Sequence, residues 1–128
     1  MNSLKLNLSN LNYNYSQIQK QLNSETQIVA VVKAGAYGSA SEAVAKRLEA
    51  LGVDYLAVAY AEEGKVLRSY GIKIPIMVFY PQVDSLKTVI EKALEPCLYS
   101  RSLLMAFKDL LKDTNKTQYP IHIKYNTG

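Results

Sequence analysis

Apolar and polar positions divide the chain into segments with two different periods. Residues 4–8 alternate apolar and polar side chains, which is the two-residue period of a strand. Apolar residues then recur at helical spacing, at Leu11, Tyr15, Ile18 and Leu22. Ser9 or Asn10 is the predicted cap of this helix. Residues 28–33 form a continuous, largely β-branched run, typical of a strand covered on both faces in a parallel sheet.

The same order of elements recurs along the rest of the chain. A glycine-bearing loop at residues 35–38 ends the second strand, and residues 39–42 have the spacing of a capping box. Gly52 and Gly71 are predicted helix stops. Further strands are predicted at residues 55–59, 74–80, 97–99 and 121–125, and further helices at residues 62–70, from residue 83, and around Leu104, Phe107 and Leu111. This alternation implies parallel strands joined by helical crossovers.

Two architectures fit this alternation, an open doubly wound sheet and a (β/α)8 barrel. Five strands with four crossovers suffice for a small flavodoxin-like sheet, whereas a complete barrel takes about 250 residues. The chain has 128 residues and ends at a predicted strand end, where another helix is expected. The barrel interpretation therefore predicts an α/β chain holding about five of eight strands, truncated, as one partial domain over residues 1–128.

Composition and charge argue against several classes of function. The chain is 48% hydrophobic and 20% charged, and its net charge of +4 is scattered, which predicts neither a nucleic-acid tail nor a membrane partner. Its single cysteine, Cys97, allows no intramolecular disulfide, and no cysteine and histidine cluster has metal-ligand spacing. No apolar run is long enough to span a bilayer, and the first residues lack the layout of a signal peptide. We therefore expect a cytoplasmic protein.

Lys33 is the first candidate for chemistry. It ends the most apolar strand, on the side of Val29 and Val31, and ligands of both architectures meet the carboxyl ends of the strands. Apolar neighbours disfavour the charged form of an amine, which is how lysines become nucleophiles towards carbonyl groups. The alternative is a strand-end lysine whose ammonium reaches solvent.

The loop after Lys33 is the second candidate. Residues 34–39 offer backbone N–H groups and the Tyr37 hydroxyl between a strand and a helix start, which suits an anion such as phosphate. The loop lacks the final Gly-Lys-Ser/Thr of a P-loop and is not a dinucleotide fingerprint. A tight turn without a ligand is the other interpretation.

Polar residues of the last strand form a third group. His122, Lys124 and Asn126 share one face, which either lines an active-site interior or faces water. Lys124 is expected at the carboxyl end of its strand, near the same pocket as Lys33. For His122 we favour a structural role over that of a catalytic base.

Three further polar or reactive residues have simpler interpretations. Glu62 and Glu63 stand in the first turn of a predicted helix, where negative charge is favourable. Cys97 is expected to be a small buried hydrophobe.

Residues 31–38, Val-Val-Lys-Ala-Gly-Ala-Tyr-Gly, closely resemble the cofactor-lysine signature of alanine racemases, V-V-K-A-N-A-Y-G-H-G. Residues 53–68, residues 71–78 and the segment from Ile121 to Gly128 agree in order and spacing, the last being similar to H-L-K-x-D-T-G. The resemblance runs from Leu4 to Gly128. Residues 94–100, residues 119–124 and Ser39 look most like racemases fused behind a cell-wall peptide ligase.

The resemblance implies a pyridoxal 5'-phosphate enzyme that interconverts L-alanine and D-alanine for peptidoglycan, with an N-terminal (β/α)8 barrel, a C-terminal β domain and a homodimeric assembly. In such enzymes the residue matching Lys33 forms the internal aldimine and then moves the α-proton on one face, while the residue matching Tyr37 contacts the cofactor phosphate. Lys124 matches an active-site lysine that some relatives carry as a carbamate. The strand within residues 1–10 is expected to pair with the C-terminal domain.

The chain also departs from the family pattern. Gly35 stands where asparagine is usual, Ser39 where histidine is usual and Asn126 where aspartate is usual. In the family, the tyrosine that serves as the opposite base and the arginine at the pyridine nitrogen lie beyond residue 128. We therefore expect negligible racemase activity and marginal folding from these residues alone. The alternatives are a racemase of another amino acid, a non-catalytic pyridoxal-phosphate homeostasis protein with the same barrel, and a small α/β binding domain without cofactor.

Overall fold

Five strands alternate with helices in a computed structural model that describes residues 3–127. Met1, Asn2 and Gly128, the last of which ends the family motif, lie outside the described residues. The elements are α1 (Leu8–Lys20), β1 (Val29–Val31), α2 (Lys33–Gly38), α3 (Ser41–Ala50), β2 (Tyr55–Val58), α4 (Ala61–Ser69), β3 (Ile76–Val78), a 3₁₀ turn (Val83–Ser85), α5 (Leu86–Glu91), β4 (Glu95–Leu98), α6 (Arg101–Lys112) and β5 (His122–Ile123).

All five strands pair in parallel and in chain order, β1-β2-β3-β4-β5. The register places Val31 opposite Ala57 and Cys97 opposite His122. A doubly wound sheet reverses its strand order beside the first strand, whereas a barrel adds each new strand on the same side. The strand order therefore decides between the two predicted architectures in favour of the barrel.

The core lies between the outer face of the sheet and the helices. Leu56 of β2 and Ile76 of β3 are fully buried there. Each of the helices α4, α5 and α6 contributes a side chain that exposes at most 2% of its surface to the same apolar cluster: Leu67, Leu86 and Phe107. Burial of these side chains on one face of each helix is the main force that holds the helices on the sheet.

The inner face of the sheet has a different environment. Val29 and Val31 of β1 are 41% and 38% exposed, so the predicted cover on both faces of this strand is wrong. The helices cover only the outer face, where Val32 is buried. Further along the same inner face Cys97 is buried as predicted, and its burial raises the pKa of the thiol.

The predicted strand at residues 4–8 is not formed. Residues 3–7 have no regular secondary structure, and Leu8 already belongs to α1. The cap is Asn7 rather than Ser9 or Asn10, because the Asn7 side chain accepts a hydrogen bond from the Asn10 N–H at 3.1 Å. A strand needs a hydrogen-bonding neighbour, and none of the described strands pairs with this segment. Its pairing with a C-terminal domain stays a prediction.

Other element ends differ in detail from the predictions. The capping box at residues 39–42 is wrong, because Ala40 occupies the cap of α3 in a left-handed conformation without a side-chain bond. The helix stops at Gly52 and Gly71 are confirmed, with φ angles of +84° and +87°. The strands predicted at residues 74–80 and 121–125 are shorter in the structure, where only β3 (Ile76–Val78) and β5 (His122–Ile123) are formed. Within residues 3–127, no helix combines the length and apolarity needed to cross a membrane.

Arg68 of α4 holds the loops at the amino ends of the strands. Its guanidinium donates hydrogen bonds to four backbone carbonyls at 2.8–3.1 Å, those of Ile72, Ile74, Lys92 and Ala93. Burial lowers the pKa of this half-buried arginine. One side chain thus joins the segment before β3 to the segment before β4.

We predict that Arg68→Lys lowers the free energy of unfolding by about 1–3 kcal/mol, because an ammonium cannot reproduce the planar fork that reaches four carbonyls. The exposed Arg101 has no side-chain hydrogen bond within residues 3–127, so Arg101→Lys should change stability by less than about 0.5 kcal/mol. Urea unfolding followed by circular dichroism measures both. Equal stabilities of the two variants would contradict the role given to Arg68.

Candidate functional site

Lys33 directly follows Val32 at the carboxyl end of β1 and is partly buried. Its side chain lines an open cavity of about 570 Å³ on the inner side of the sheet. Tyr80, which follows β3, and Lys124, which follows β5, line the same cavity. The structure therefore brings the two lysines to one place at the carboxyl ends of the strands.

The segment labelled α2, which follows Val32, is a left-handed turn and not a regular α-helix. Four consecutive residues, Ala34, Gly35, Ala36 and Tyr37, have φ angles between +52° and +62°. This conformation is free for glycine but costs about 1–2 kcal/mol for each of the other three residues. Strain of this kind is held in place by surrounding contacts and is concentrated at functional sites. The predicted glycine-bearing loop is thus a strained turn that begins at the candidate lysine.

Glu63 of α4 provides the contact that holds this turn. Its Oε1 accepts a hydrogen bond from the Ala34 N–H at 2.6 Å, and its Oε2 accepts from the N–H groups of Ala59 and Tyr60 at 2.8 and 3.0 Å. The carboxylate thereby joins the loop after β1 to the loop after β2. From the sequence, Glu63 is predicted only as a charge at a helix N-terminus. Its bond to Ala34 is not predicted, because the two residues lie 29 positions apart and no local sequence pattern links them.

The loop at residues 34–39 offers an anion fewer free hydrogen-bond donors than the sequence predicts. The Ala34 N–H is used by Glu63, and the Ala36 N–H donates to the Val32 carbonyl at 3.0 Å. The Tyr37 side chain is 67% exposed, and its hydroxyl makes no hydrogen bond to the residues that the structure describes. Among the groups considered for an anion, the phenol of Tyr37 is therefore the clearest free donor.

His122 lies at the other end of its strand from Lys124 and has a partner. Its Nε2 is 2.9 Å from Glu95 Oε2, and its ring meets the Tyr55 ring edge-on at a centroid distance of 5.8 Å. Burial and the neighbouring Glu95 raise the pKa of Tyr55. This polar cluster stands at the first residues of β2, β4 and β5. His122 also lines the cavity of Lys33, but its pairing with Glu95 agrees with the structural role preferred for it. Asn126 is exposed beyond the end of β5.

The contact between Lys124 and Tyr80 is the second feature that the sequence did not indicate. Lys124 Nζ lies 4.0 Å from the centroid of the Tyr80 ring, within range of a cation–π interaction. Hydrogen bonding to Lys124 and its charge lower the pKa of the Tyr80 phenol. No local signal in the sequence links two residues that follow different strands.

A family profile described as the N-terminal domain of alanine racemase matches residues 6–128, nearly the whole chain. The chain belongs to this family. Membership therefore rests on a match over nearly the whole chain and not on the cofactor-lysine signature alone.

Individual relatives agree with the family profile. The alanine racemase of Thermodesulfovibrio yellowstonii is 36% identical over 97% of this chain and 34% of the relative. An amino-acid racemase of Enterococcus faecalis is 37% identical over 98% of this chain and 17% of the relative. In Clostridium difficile 630, a solved alanine racemase superposes with a TM-score of 0.90 and 34% identity, over 94% of this chain and 33% of that chain. The chain spans about a third of the length of most of these relatives.

The comparisons also establish the architecture. The superposed part of the solved racemases is their N-terminal TIM-barrel domain, so the five parallel strands of this chain correspond to part of a barrel. Both the fold class and the family expected from the sequence are confirmed. These relatives are racemases, so the family to which this chain belongs is a racemase family.

We predict that Glu63→Gln lowers the free energy of unfolding by about 1–3 kcal/mol and speeds hydrogen exchange of the Ala34 amide, because a carboxamide has one acceptor oxygen where the carboxylate uses two. The matched control is Glu62→Gln, since exposed Glu62 forms, within residues 3–127, only a surface ion pair with Lys65 at 3.1 Å. Unchanged exchange at Ala34 in the Glu63 variant would contradict the proposed hold on the turn.

Proposed function

We propose that this chain carries the cofactor lysine of a pyridoxal-phosphate-dependent alanine racemase. The observation that carries the proposal is the position of Lys33. Its amine lines the cavity at the carboxyl ends of the strands and has no hydrogen-bond or ion-pair partner within residues 3–127. Active sites of this barrel type lie at that end of the strands.

The described residues fit such a cofactor. A primary amine suits the carbonyl carbon of an aldehyde. The exposed Tyr37 hydroxyl, four residues further along and outside the lining of the cavity, suits a phosphate oxygen as hydrogen-bond donor. The cavity of about 570 Å³ falls in the range of cofactor and small-ligand sites. When bound, pyridoxal phosphate supplies an electron sink that stabilises a carbanion at the α-carbon of an amino acid.

The chain's own residues then have separate tasks. Glu63 holds the strained turn against α4 and so fixes the backbone from which Lys33 projects. The Lys33 amine removes or returns the α-proton on one face of the substrate. By the family resemblance, the base for the opposite face lies outside these residues. We therefore infer that residues 1–128 alone do not racemise alanine.

The finer expectations belong to the same proposal. Lys124 is proposed as a second active-site lysine because it lines the cavity of Lys33. A homodimer, a supply of D-alanine for peptidoglycan, a cytoplasmic location and a fused cell-wall ligase are implied by the family resemblance. The pairing of residues 4–8 with a C-terminal β domain is proposed on the same basis.

We predict that borohydride reduction of the chain with pyridoxal phosphate attaches the cofactor to Lys33. Peptide mass spectrometry after digestion should find the label there, and Lys33→Arg should remove it. Lys65→Arg, which changes an exposed lysine outside the cavity, is the matched control and should leave the labelling unchanged. Equal labelling of many surface lysines, with no preference for Lys33, would contradict the proposal.

Racemisation itself is testable in a chimera in which this chain replaces the corresponding third of the C. difficile enzyme. We predict interconversion of L- and D-alanine, and a loss of at least about a hundredfold in kcat with Lys33→Arg, because a positioned base contributes that much or more. The same replacement with the first third of the T. yellowstonii relative controls for tolerance of a foreign segment. The chain without the rest of the enzyme should show no racemisation.

The alternatives give different results in these assays. A chimera that labels at Lys33 but does not racemise, while the control chimera does, would favour a pyridoxal-phosphate homeostasis protein. Faster racemisation of another amino acid than of alanine would favour a different substrate, in keeping with the amino-acid racemase among the relatives. Absence of labelling would favour a binding domain without cofactor.

A further inference from the structure

Glu95 begins β4 and is, among residues 3–127, the only buried residue with a charged side chain. A buried carboxylate is costly unless a hydrogen-bond donor faces it. His122 of β5 supplies this donor, because its Nε2 lies 2.9 Å from Glu95 Oε2. The two residues therefore form a carboxylate–imidazole pair that the steps of the proposed function do not use.

This pairing determines which nitrogen of the His122 ring carries the proton. An ionised carboxylate only accepts hydrogen bonds, so the bond to Glu95 requires a proton on Nε2. In the neutral ring Nδ1 is then an acceptor, and it has no hydrogen-bond partner within residues 3–127. The bond thus fixes both the tautomer and the orientation of a ring that lines the cavity of Lys33.

The His122 ring also joins two strands that are not neighbours in the sheet. It meets the ring of Tyr55, on β2, edge-on at a centroid distance of 5.8 Å. The strand order places β3 and β4 between the two residues, so a flat sheet would hold β2 and β5 about 14 Å apart. The contact is therefore made across the inside of a curved sheet, and the position of β5 relative to β2 depends on it.

The strand β5 has few other contacts that fix its position. It consists of two residues, and among residues 3–127 it pairs with β4 alone. One backbone bond, from the Lys124 N–H to the Leu98 carbonyl at 3.0 Å, continues this pairing beyond its end. The residues that follow His122 form one wall of the cavity that Lys33 also lines. The placement of the His122 ring therefore decides how closely this wall approaches Lys33.

We propose that His122 is a positioning residue: a brace, held by Glu95 and Tyr55, that sets the position of β5 and thereby the width of the cavity opposite Lys33. It acts through the backbone of β5, and the chemical state of Lys124 does not enter the argument. The role rests on the proposed function, since it concerns the same cavity, but the brace itself requires no cofactor. Its failure and the failure of Lys33 labelling are therefore separate results.

The first test is nuclear magnetic resonance of the full chain with nitrogen-15 histidine. His122 is the only histidine, so its ring signals need no assignment. In buffer alkaline enough to keep imidazole neutral, we expect a single tautomer with a slowly exchanging proton on Nε2, and a nuclear Overhauser effect between the ring and Tyr55. Glu95→Leu should mix the tautomers and speed this exchange. Glu91→Leu, at an exposed position of α5, is the matched control and should change neither.

The second test separates positioning from packing with two variants of similar polarity. The amide nitrogen of glutamine reaches about as far from the backbone as imidazole Nε2 and can donate to Glu95, whereas the shorter asparagine cannot. In the full chain, His122→Asn should speed hydrogen exchange of the Lys124 amide at least about tenfold, and His122→Gln should keep it near the wild-type rate. In the C. difficile chimera, His122→Asn should lower kcat about ten- to a hundredfold with KM for alanine within about threefold, and His122→Gln should restore most of the rate.

Each outcome decides one of the two proposals. A mixture of His122 tautomers in the wild-type chain, signals that do not change in Glu95→Leu, or equal effects of His122→Gln and His122→Asn would overturn the brace, whatever the result of Lys33 labelling. A chimera that does not racemise alanine, or a chain that is not labelled at Lys33, would contradict the proposed function instead. The two measurements on the full chain then still decide whether His122 is a brace.

Discussion

Parallel pairing in chain order is the constraint on which the candidate site depends. Because every strand runs in the same direction, the carboxyl ends of all five strands lie along one edge, and the residue that follows each strand enters a common space. Lys33, Tyr80 and Lys124 follow the first, third and fifth strands and line one cavity for this reason. An insertion or deletion within one strand would therefore change how these three side chains are placed around the cavity, even though none of the three residues is replaced.

Side chains of the helix α4 bind the loops at both ends of the strands. Glu63 in its first turn binds backbone N–H groups after β1 and β2, and Arg68 near its end binds backbone carbonyls before β3 and β4. An anionic group therefore meets donors at one end, and a cationic group meets acceptors at the other. The polarity of the helix N-terminus favours the same placement of the carboxylate. This one helix thus connects two sets of loops at opposite ends of the strands.

Local patterns predicted the elements well and the contacts between them poorly. Strand positions, helix stops such as Gly52 and the placement of Lys33 follow from periodicity and residue type, which act over a few residues. Glu63 and Tyr80 were missed because their partners lie far away in the sequence and depend on the completed sheet. Alternation predicts a strand at residues 4–8 because it reflects which side chains are apolar, but it does not show whether a neighbouring strand exists.

The left-handed turn after the candidate lysine favours particular residue types, most clearly at Gly35. Glycine and asparagine both accept this backbone region readily, so Gly35, with its φ of +62°, can replace the family's usual asparagine without altering the path of the chain. Valine, isoleucine and threonine are excluded there by the steric demands of their branched β-carbons. The backbone geometry at Gly35 is therefore compatible with either glycine or asparagine.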